Sequence, residues 1–308
     1  MISILLASYN GEKYITQQID SLFEQTVQDF KLYICDDKST DNTYKIIEEY
    51  ASRYPDKIFV SQNEKNLGGA KYNFIQMMTE HKDDYVMLCD QDDIWMPDKI
   101  EKTLKKIKEM EDRSGKEKPL LVHTNLCITD KDLNIVSQSY WDKVNARVEE
   151  KKLSKVLVQN FAAGCTMIYN RAFGELVSKE PEFFIMHDWW LVILASAFGE
   201  IGEIREPTIL YRQHDSNELG TNKRGEASHI AHKVFNVQEI KETLSSTYKQ
   251  ADSFLSLYGD ILSKKNFEIV KAYGTIPRVG KFKRLKIIFK HKTWKNGFIR
   301  KVAQLLYV

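Results

Sequence analysis

Cysteine is scarce in this chain of 308 residues: Cys35, Cys89, Cys127 and Cys165 lie far apart, mostly at the ends of apolar runs. That spacing fits neither a disulfide framework nor a zinc site and reads as reduced core thiols of a cytosolic protein. Long apolar runs are missing too. The longest, Trp189 to Gly199, falls short of the ~20 residues that cross a bilayer. Met1 leads straight into Ile2-Ser3-Ile4-Leu5-Leu6 without a basic leader, which argues against a signal peptide. No repeat or low-complexity segment is present. No Gly-x-Gly-x-x-Gly follows the first apolar run, and no Walker lysine loop occurs, which argues against dinucleotide dehydrogenases and P-loop enzymes. Acidic residues, finally, are missing at one end. From Ile269 to Val308 there are 11 Lys or Arg and no Asp or Glu, leaving 34 basic against 43 acidic residues before it. An anionic partner is therefore expected at the C-terminal end only.

What is present is an alternation of periods. Ile2 to Ala7 is a continuous apolar run suited to a buried strand, and Ser8-Tyr9-Asn10-Gly11 breaks it. A helix with Ile15, Ile19 and Leu22 on one face follows, then a strand from Phe30 to Cys35. The next helix carries Tyr44, Ile47, Tyr50 and Tyr54, and a short strand covers Ile58 to Ser61. Asn66-Leu67-Gly68-Gly69 turns into a helix with Phe74, Met77 and Met78, and Tyr85 to Cys89 reads as a fourth strand. This β-α-β-α-β-α-β order predicts a parallel sheet with helices on both faces. In such sheets ligands bind beyond the carboxyl ends of the strands. Four polar clusters fall there: Ser8-Tyr9-Asn10, Asp36-Asp37, Asn66-Leu67-Gly68 and Asp90-Gln91-Asp92.

The fourth cluster is the most telling. Asp90, Asp92 and Asp93 close an apolar strand, and three such acids repel one another unless a cation lies among them. Oxygen ligands suit Mg²⁺ or Mn²⁺, which in turn favour diphosphate oxygens. A polar turn that caps the helix after Pro97 is the plainer alternative.

The residues Ile4-Leu5-Leu6-Ala7-Ser8-Tyr9-Asn10-Gly11, Asp36-Asp37-Lys38-Ser39-Thr40-Asp41-Asn42-Thr43, Asn66-Leu67-Gly68 and Asp90-Gln91-Asp92-Asp93-Ile94-Trp95 are similar to the family 2 glycosyltransferases. Later, His187-Asp188-Trp189-Trp190 and Tyr211-Arg212-Gln213-His214-Asp215-Ser216-Asn217 resemble that family's rhamnosyltransferase-like branch. The likeness covers roughly residues 2–220. Lys38 departs from it, standing where the family usually has Gly.

The resemblance implies an α/β fold of GT-A type, a Rossmann-like, mostly parallel sheet flanked by helices. It implies a nucleotide site built from Ala7, Ser8, Tyr9, Asn10, Glu12, Asp36, Asp37, Asn66, Gly68, Asp90 and Gln91. Tyr9 and Asp37 would hold a pyrimidine base, and Asp90 the ribose hydroxyls. Asp92 and His214 would bind Mn²⁺ or Mg²⁺, Asp188 would be the general base, and Trp189 and Trp190 would stack on an acceptor sugar. Plainer readings stand beside these: His214 as filler, Asp188 as a helix cap, the tryptophans as a buried helix face. Acceptor contacts are also expected from Leu120 to Ser137, a strand pair, and from Phe161 to Tyr169, where Ala163-Gly164-Cys165 lets the backbone come close.

Beyond about Thr221 the texture is helical. Val237, Ile240, Leu244, Thr247, Ala251, Phe254, Tyr258 and Ile261 form a coiled-coil-like seam, for which packing on the chain's own domain is the better reading. Phe282, Leu285 and Phe289, then Trp294, Phe298, Val302 and Leu305, share one helical face amid Lys and Arg, as in membrane-surface or partner-binding helices.

The expectation is a catalytic domain over 1–220 and a helical extension with a basic tail over 221–308. The implied activity is inverting, metal-dependent transfer of a sugar, best L-rhamnose from dTDP-L-rhamnose, onto a bacterial surface polysaccharide. The implied partners are a nucleotide-sugar donor, a lipid-linked or oligosaccharide acceptor and the inner face of the plasma membrane, with no nucleic acid; a homodimer is allowed. A UDP-hexose donor is the nearest alternative. A non-catalytic binder of the same fold and a nucleotidyltransferase are rivals from other classes, separable by whether nucleoside diphosphate, pyrophosphate or neither is released.

Overall fold

The computed structural model describes residues 1–177, 179–214 and 237–308. These residues form two compact units that interleave along the chain. The first comprises 1–146, 162–180 (178 aside) and 199–214; the second, 147–161, 181–198 and 237–308.

The first unit is built on one nine-stranded sheet. Its elements are β1 (Ile2–Ser8), α1 (Ile15–Phe23), β2 (Phe30–Asp36), α2 (Thr43–Arg53), β3 (Ile58–Gln62), α3 (Ala70–Glu80), β4 (Tyr85–Asp90), β5 (Ile94–Trp95), α4 (Lys99–Ser114), β6 (Leu120–Thr129), β7 (Ile135–Ser137), β8 (Met167–Asn170) and β9 (Glu200–Arg212). Strand order is β3-β2-β1-β4-β8-β6-β9-β5, with β7 on β6. The first four strands pair in parallel, and β6 pairs in parallel with β9; β8 runs antiparallel between β4 and β6. The expected α/β architecture is thus present, including the strand pair over Leu120 to Ser137.

All seven residues of β1 and all ten of β6 are buried, so alternation is absent and the apolar run itself encodes the strand. Each fully buried Ile or Leu contributes about 1.5–3 kcal/mol to holding these layers together. The expected inner faces of α1 (Ile15, Ile19 and Leu22) and α3 (Phe74, Met77 and Met78) are buried, whereas of the α2 face Ile47 and Tyr50 are buried, Tyr44 is half-buried, and Tyr54, past the end of the helix, is 40% exposed. All four cysteines are free and buried.

Register carries the functional consequence. Ser8 pairs with Asp36, Ala7 with Asp90 and Asp36 with Gln62. The polar residues that end β1, β2, β3 and β4 therefore emerge level at one sheet edge.

The second unit is helical. The helix His187–Phe198 is buried along almost its whole length, from His187 to Ala195 save Trp189. Val237–Tyr258 buries Leu244, Thr247, Ala251, Phe254 and Tyr258, so this part of the seam packs inward, while Val237 and Ile240 are half-buried and Ile261, beyond the helix, is 61% exposed. The tail is not one helix. It forms Lys281–His291 and Phe298–Tyr307, broken by left-handed backbone at Lys292 (φ 57°) and Gly297 (φ 85°). The expected single face over Phe282 to Leu305 is thereby divided between two helices. The expected boundary at 220/221 lies outside the described residues, as do Asp215, Ser216 and Asn217 of the second-half motif. Among the described residues no helix is long and apolar enough to cross a membrane.

Candidate active site

The turn after β1 is held by its neighbours. Tyr9 N donates to Gln91 Oε1 and Gln91 Nε2 donates back to Tyr9 O, each at 2.9 Å. A Cβ on Gly11 would meet Gln91 Oε1 at 2.1 Å, so only glycine lets this pairing form. Asn10, in the left-handed region at φ 48°, accepts from Thr40 N at 2.8 Å. Glu12 Oε2 accepts from Asn42 N and Nδ2 at 3.0 and 2.9 Å. Tyr9 remains 45% exposed, so its ring is available to a base.

Asp36 and Asp37, adjacent in sequence, do different things. Asp36 is wholly buried, its carboxylate accepting from Ser8 Oγ (3.1 Å), Gln62 Nε2 (2.9 Å), and Ser39 N (2.9 Å) and Oγ. Such an acid organises loops and acts on a ligand only through them. Asp37 accepts from Asn63 Nδ2 (2.8 Å) and Leu67 N (2.9 Å), tying the second loop to the third. Asn66 Nδ2 donates to Asp37 O at 3.0 Å, and its Oδ1 accepts from Gly68 N at 2.8 Å, with Gly68 at φ 87°.

The residues expected to hold a metal are brought together by β4, β5 and β9. His214 Nε2 lies 2.7 Å from Asp92 Oδ2. Asp90 half-faces solvent at the tip of β4, and its carboxylate, that of Asp93 and the Cys165 thiol have atoms within 4.8 Å of one another. Cys165 sits in the turn Gly164–Thr166, so the segment expected to approach the site does so. Asp93 is fully buried, and burial, then the charges of Asp92 and Asp90, push its carboxyl well above the usual range. Burial and the neighbouring acids likewise raise the Cys165 thiol. A neutral thiol and a buried carboxylic acid are poor ligands for a hard cation. Asp92 and His214, an oxygen donor and an imidazole that are both partly buried, are the better pair, and the repulsion that raises Asp93 is what a divalent ion would relieve. The residues present therefore fit Mn²⁺ or Mg²⁺. Lys99, also buried, places its ammonium 4.3 Å over the Trp95 ring, with Asp93 and Cys165 within electrostatic reach.

Arg212 and Tyr14 are the residues sequence reasoning passed over. Arg212 is buried; its Nε donates to Asp92 O (2.9 Å), Nη1 to Lys131 O (2.9 Å) and Nη2 to Gln17 Oε1 (2.6 Å), while its backbone N reaches Asp93 Oδ1 (3.2 Å). The Tyr14 ring lies between the Arg212 guanidinium (4.8 Å) and the His214 ring (4.6 Å, stacked). The signal was Arg212 itself, two residues before His214, where a long cation ends a strand.

In the second unit Asp188 is largely buried in the first turn of its helix, with Oδ1 accepting from Trp189 N. Trp189 is half-buried and donates Nε1–H to Val156 O at 2.6 Å. Trp190 is the correction. It is wholly buried against Phe184, Phe254 and Tyr258 and presents no face to a sugar; its apolar surface closes the core of its own unit.

A mostly parallel sheet flanked by helices, with polar loops gathered at one edge, defines a GT-A-type fold. Solved structures agree on the fold. The chain superposes on Staphylococcus aureus TarS 1–349 in complex with UDP-GlcNAc with a TM-score of 0.57 at 17% identity, over 99% of this chain and 91% of that one. For the Pyrobaculum calidifontis mannosyltransferase PcManGT with GDP-Man and Mn²⁺ the values are 0.51, 15%, 99% and 87%. The family model "Glycosyl transferase family 2" matches residues 3–114. The dTDP-rhamnosyl transferase RfbG of Shigella flexneri is 31% identical over 236 residues, 70% of this chain and 74% of that one. The chain belongs to glycosyl transferase family 2 and is a glycosyltransferase.

Proposed function

We propose that the chain transfers L-rhamnose from dTDP-L-rhamnose, with inversion, onto a lipid-linked or oligosaccharide acceptor in bacterial surface polysaccharide synthesis. The observation that carries the reading is the Asp92–His214 pair at the end of a nucleotide-type sheet edge, in a chain related over most of its length to a rhamnosyl transferase. In this reading residues 1–220 act as the catalytic domain and 221–308 as its extension.

Tyr9 stacks on the base and Asp37 accepts from its ring N–H, while Asp90 accepts from the ribose. Ala7, Ser8, Asn10, Glu12, Asn66, Gly68 and Gln91 shape that pocket, with Asp36 holding its loops. Asp92 and His214 would hold a divalent ion, which when bound would supply positive charge for the departing diphosphate. The acceptor hydroxyl oxygen bonds to the anomeric carbon as the bond to the diphosphate breaks, and its proton passes to the Asp188 carboxylate, with Trp189 beside the acceptor. One displacement suffices, and no covalent enzyme intermediate forms.

Thymine and uracil offer the same ring face and N–H, so the base contacts also admit a UDP-hexose as the second reading. Nucleotide sugars screened with Mn²⁺, by thermal shift and by nucleoside diphosphate release, separate them. The first reading expects dTDP-rhamnose to stabilise most and to release dTDP with acceptor. Stabilisation by UDP-glucose, UDP-galactose or UDP-N-acetylglucosamine alone assigns the second. Release of pyrophosphate, or of nothing with every donor and acceptor, overturns both.

A further inference from the structure

The helices Lys281–His291 and Phe298–Tyr307 dock on their own unit by one face each. Ile288 is fully buried on the first; on the second Ala303 and Gln304 are buried, Gln304 bonding Thr293 O (2.9 Å) and accepting from Lys295 N (2.7 Å). Large apolar side chains stand open on the faces turned away. Phe282 is 93% exposed and Phe289, one heptad on, 55%; Phe298 is 82% exposed, with Ile299, Val302 and Leu306 also open. At ~100° per residue, Phe298, Ile299, Val302 and Leu306 fall on one ~100° stripe. Lys281 Nζ donates to Leu306 O at 3.1 Å, linking the start of one helix to the end of the other.

Folding that leaves two phenylalanines almost bare needs an occupant to explain it. Charge chooses among occupants. Lys283, Lys286, Lys290, Lys292 and Arg300 are exposed around these side chains, and from Ile269 to Val308 no acid offsets them. A second copy of the chain would bring the same positive field against itself. A nucleic acid would use the cations and leave the apolar stripe in water. Neither helix is long and apolar enough to span a bilayer, yet both carry the apolar-plus-basic pattern of helices that lie in a membrane interface.

We propose that this face binds the surface of an anionic phospholipid leaflet, with Phe282, Phe289, Phe298, Ile299, Val302 and Leu306 entering the headgroup–acyl boundary and the surrounding Lys and Arg engaging lipid phosphates. Deleting the tail is a poor test, since Ile288 and Gln304 are packed into the unit. Substitutions at exposed positions leave that packing intact: Phe282→Asp with Phe298→Asp, and separately Lys283→Glu with Lys286→Glu.

Full-length protein is sedimented with vesicles of phosphatidylcholine alone or mixed with phosphatidylglycerol, over a salt series, while thermal unfolding and sedimentation velocity report folding and association. Binding should require phosphatidylglycerol and weaken with salt. Removing two cations alone would weaken it about twenty-five-fold, about fivefold per charge, and reversal should exceed this. The aspartate pair should abolish binding with the unfolding temperature unchanged. Equal binding to neutral vesicles, binding indifferent to both pairs of substitutions, or a self-association that Phe282→Asp abolishes would each overturn the proposal.

Discussion

His214 Nε2 and Asp92 Oδ2 stand 2.7 Å apart although 122 residues separate them in the chain. The end of β9 is carried back to the tip of β4 because β5, which follows Asp92, pairs with β9. In the proposed reading these two partly buried donors are the metal ligands, and holding them this way would leave little ordering cost at binding. Asp92→Asn keeps the shape and removes the charge. With ligand at ~100 times its Kd the parent gains about 2.7 kcal/mol of stability. In the variant, the Mn²⁺-dependent stabilisation by nucleoside diphosphate should vanish. A melting curve that responds to Mn²⁺ as the parent's does would refute the assignment.

Arg212 and Tyr14 hold that pair in place. Replacing Arg212 by Leu takes the donor from three partly buried hydrogen bonds and loosens the Asp92 backbone, a loss of about 1–3 kcal/mol. Tyr14 gives a finer reading, because only its ring lies between Arg212 and His214. Tyr14→Phe should keep Mn²⁺ affinity, measured by the electron paramagnetic resonance of free ion, and Tyr14→Ala should weaken it. Equal affinity in both variants would show that the stack positions nothing.

How much of this was legible in the sequence depends on the residue. Buried parallel strands declare themselves as unbroken apolar runs, and β1 and β4 did. Loop chemistry at their ends was legible because Asp, Asn and Gly cluster there and little else does. Trp190 was misread because a helix buried on nearly every side has no periodicity to separate a core tryptophan from one at a binding site. The break at Lys292–Gly297 was missed because the spacing of apolar residues continues across it. Arg212 escaped because its role lies in contacts made by folding with residues far along the chain.

Lys38 occupies the position where the family resemblance led one to expect glycine, and its φ is 63°. A side chain in that conformation costs roughly 1–2 kcal/mol. Glycine would relieve this while adding entropy to the unfolded chain, and would lose only an exposed contact from Lys38 Nζ to Gln62 Oε1 at 3.3 Å. Lys38→Gly should therefore leave the urea midpoint unchanged or raise it, and Lys38→Val should lower stability by about 1 kcal/mol or more. A Val variant as stable as the parent would mean that the loop relaxes out of the left-handed region.

Burial pushes the His187 imidazole down to about 3. In the unfolded chain the same group takes a proton near pH 6.5. Between these values the unfolded state binds a proton that the native state does not, so stability from this group is fully present above pH 6.5 and drains away as pH falls toward 3. His187→Phe removes the proton acceptor. Urea titrations at pH 7.5 and 4.5 should show a smaller drop for the variant than for the parent, and parallel drops would place the acid sensitivity elsewhere.

The base is the last point. An in-line displacement needs a carboxylate on the side from which the acceptor arrives, within reach of its hydroxyl and ionised at working pH. On the donor side the acids are already engaged: Asp36 and Asp37 by loop hydrogen bonds, Asp92 by His214. Asp188 is the acid that the family resemblance assigns to that role, on a helix whose neighbouring Trp189 donates to Val156 O. Asp188→Asn preserves size and removes basicity. Donor binding, read by the thermal shift with nucleotide sugar and Mn²⁺, should be unchanged, while turnover falls by about 10²–10⁴-fold. Asn at this position can still accept from Trp189 N, so the helix start should survive. Turnover within a few fold of the parent, or lost donor binding in a folded variant, would remove Asp188 from the reaction.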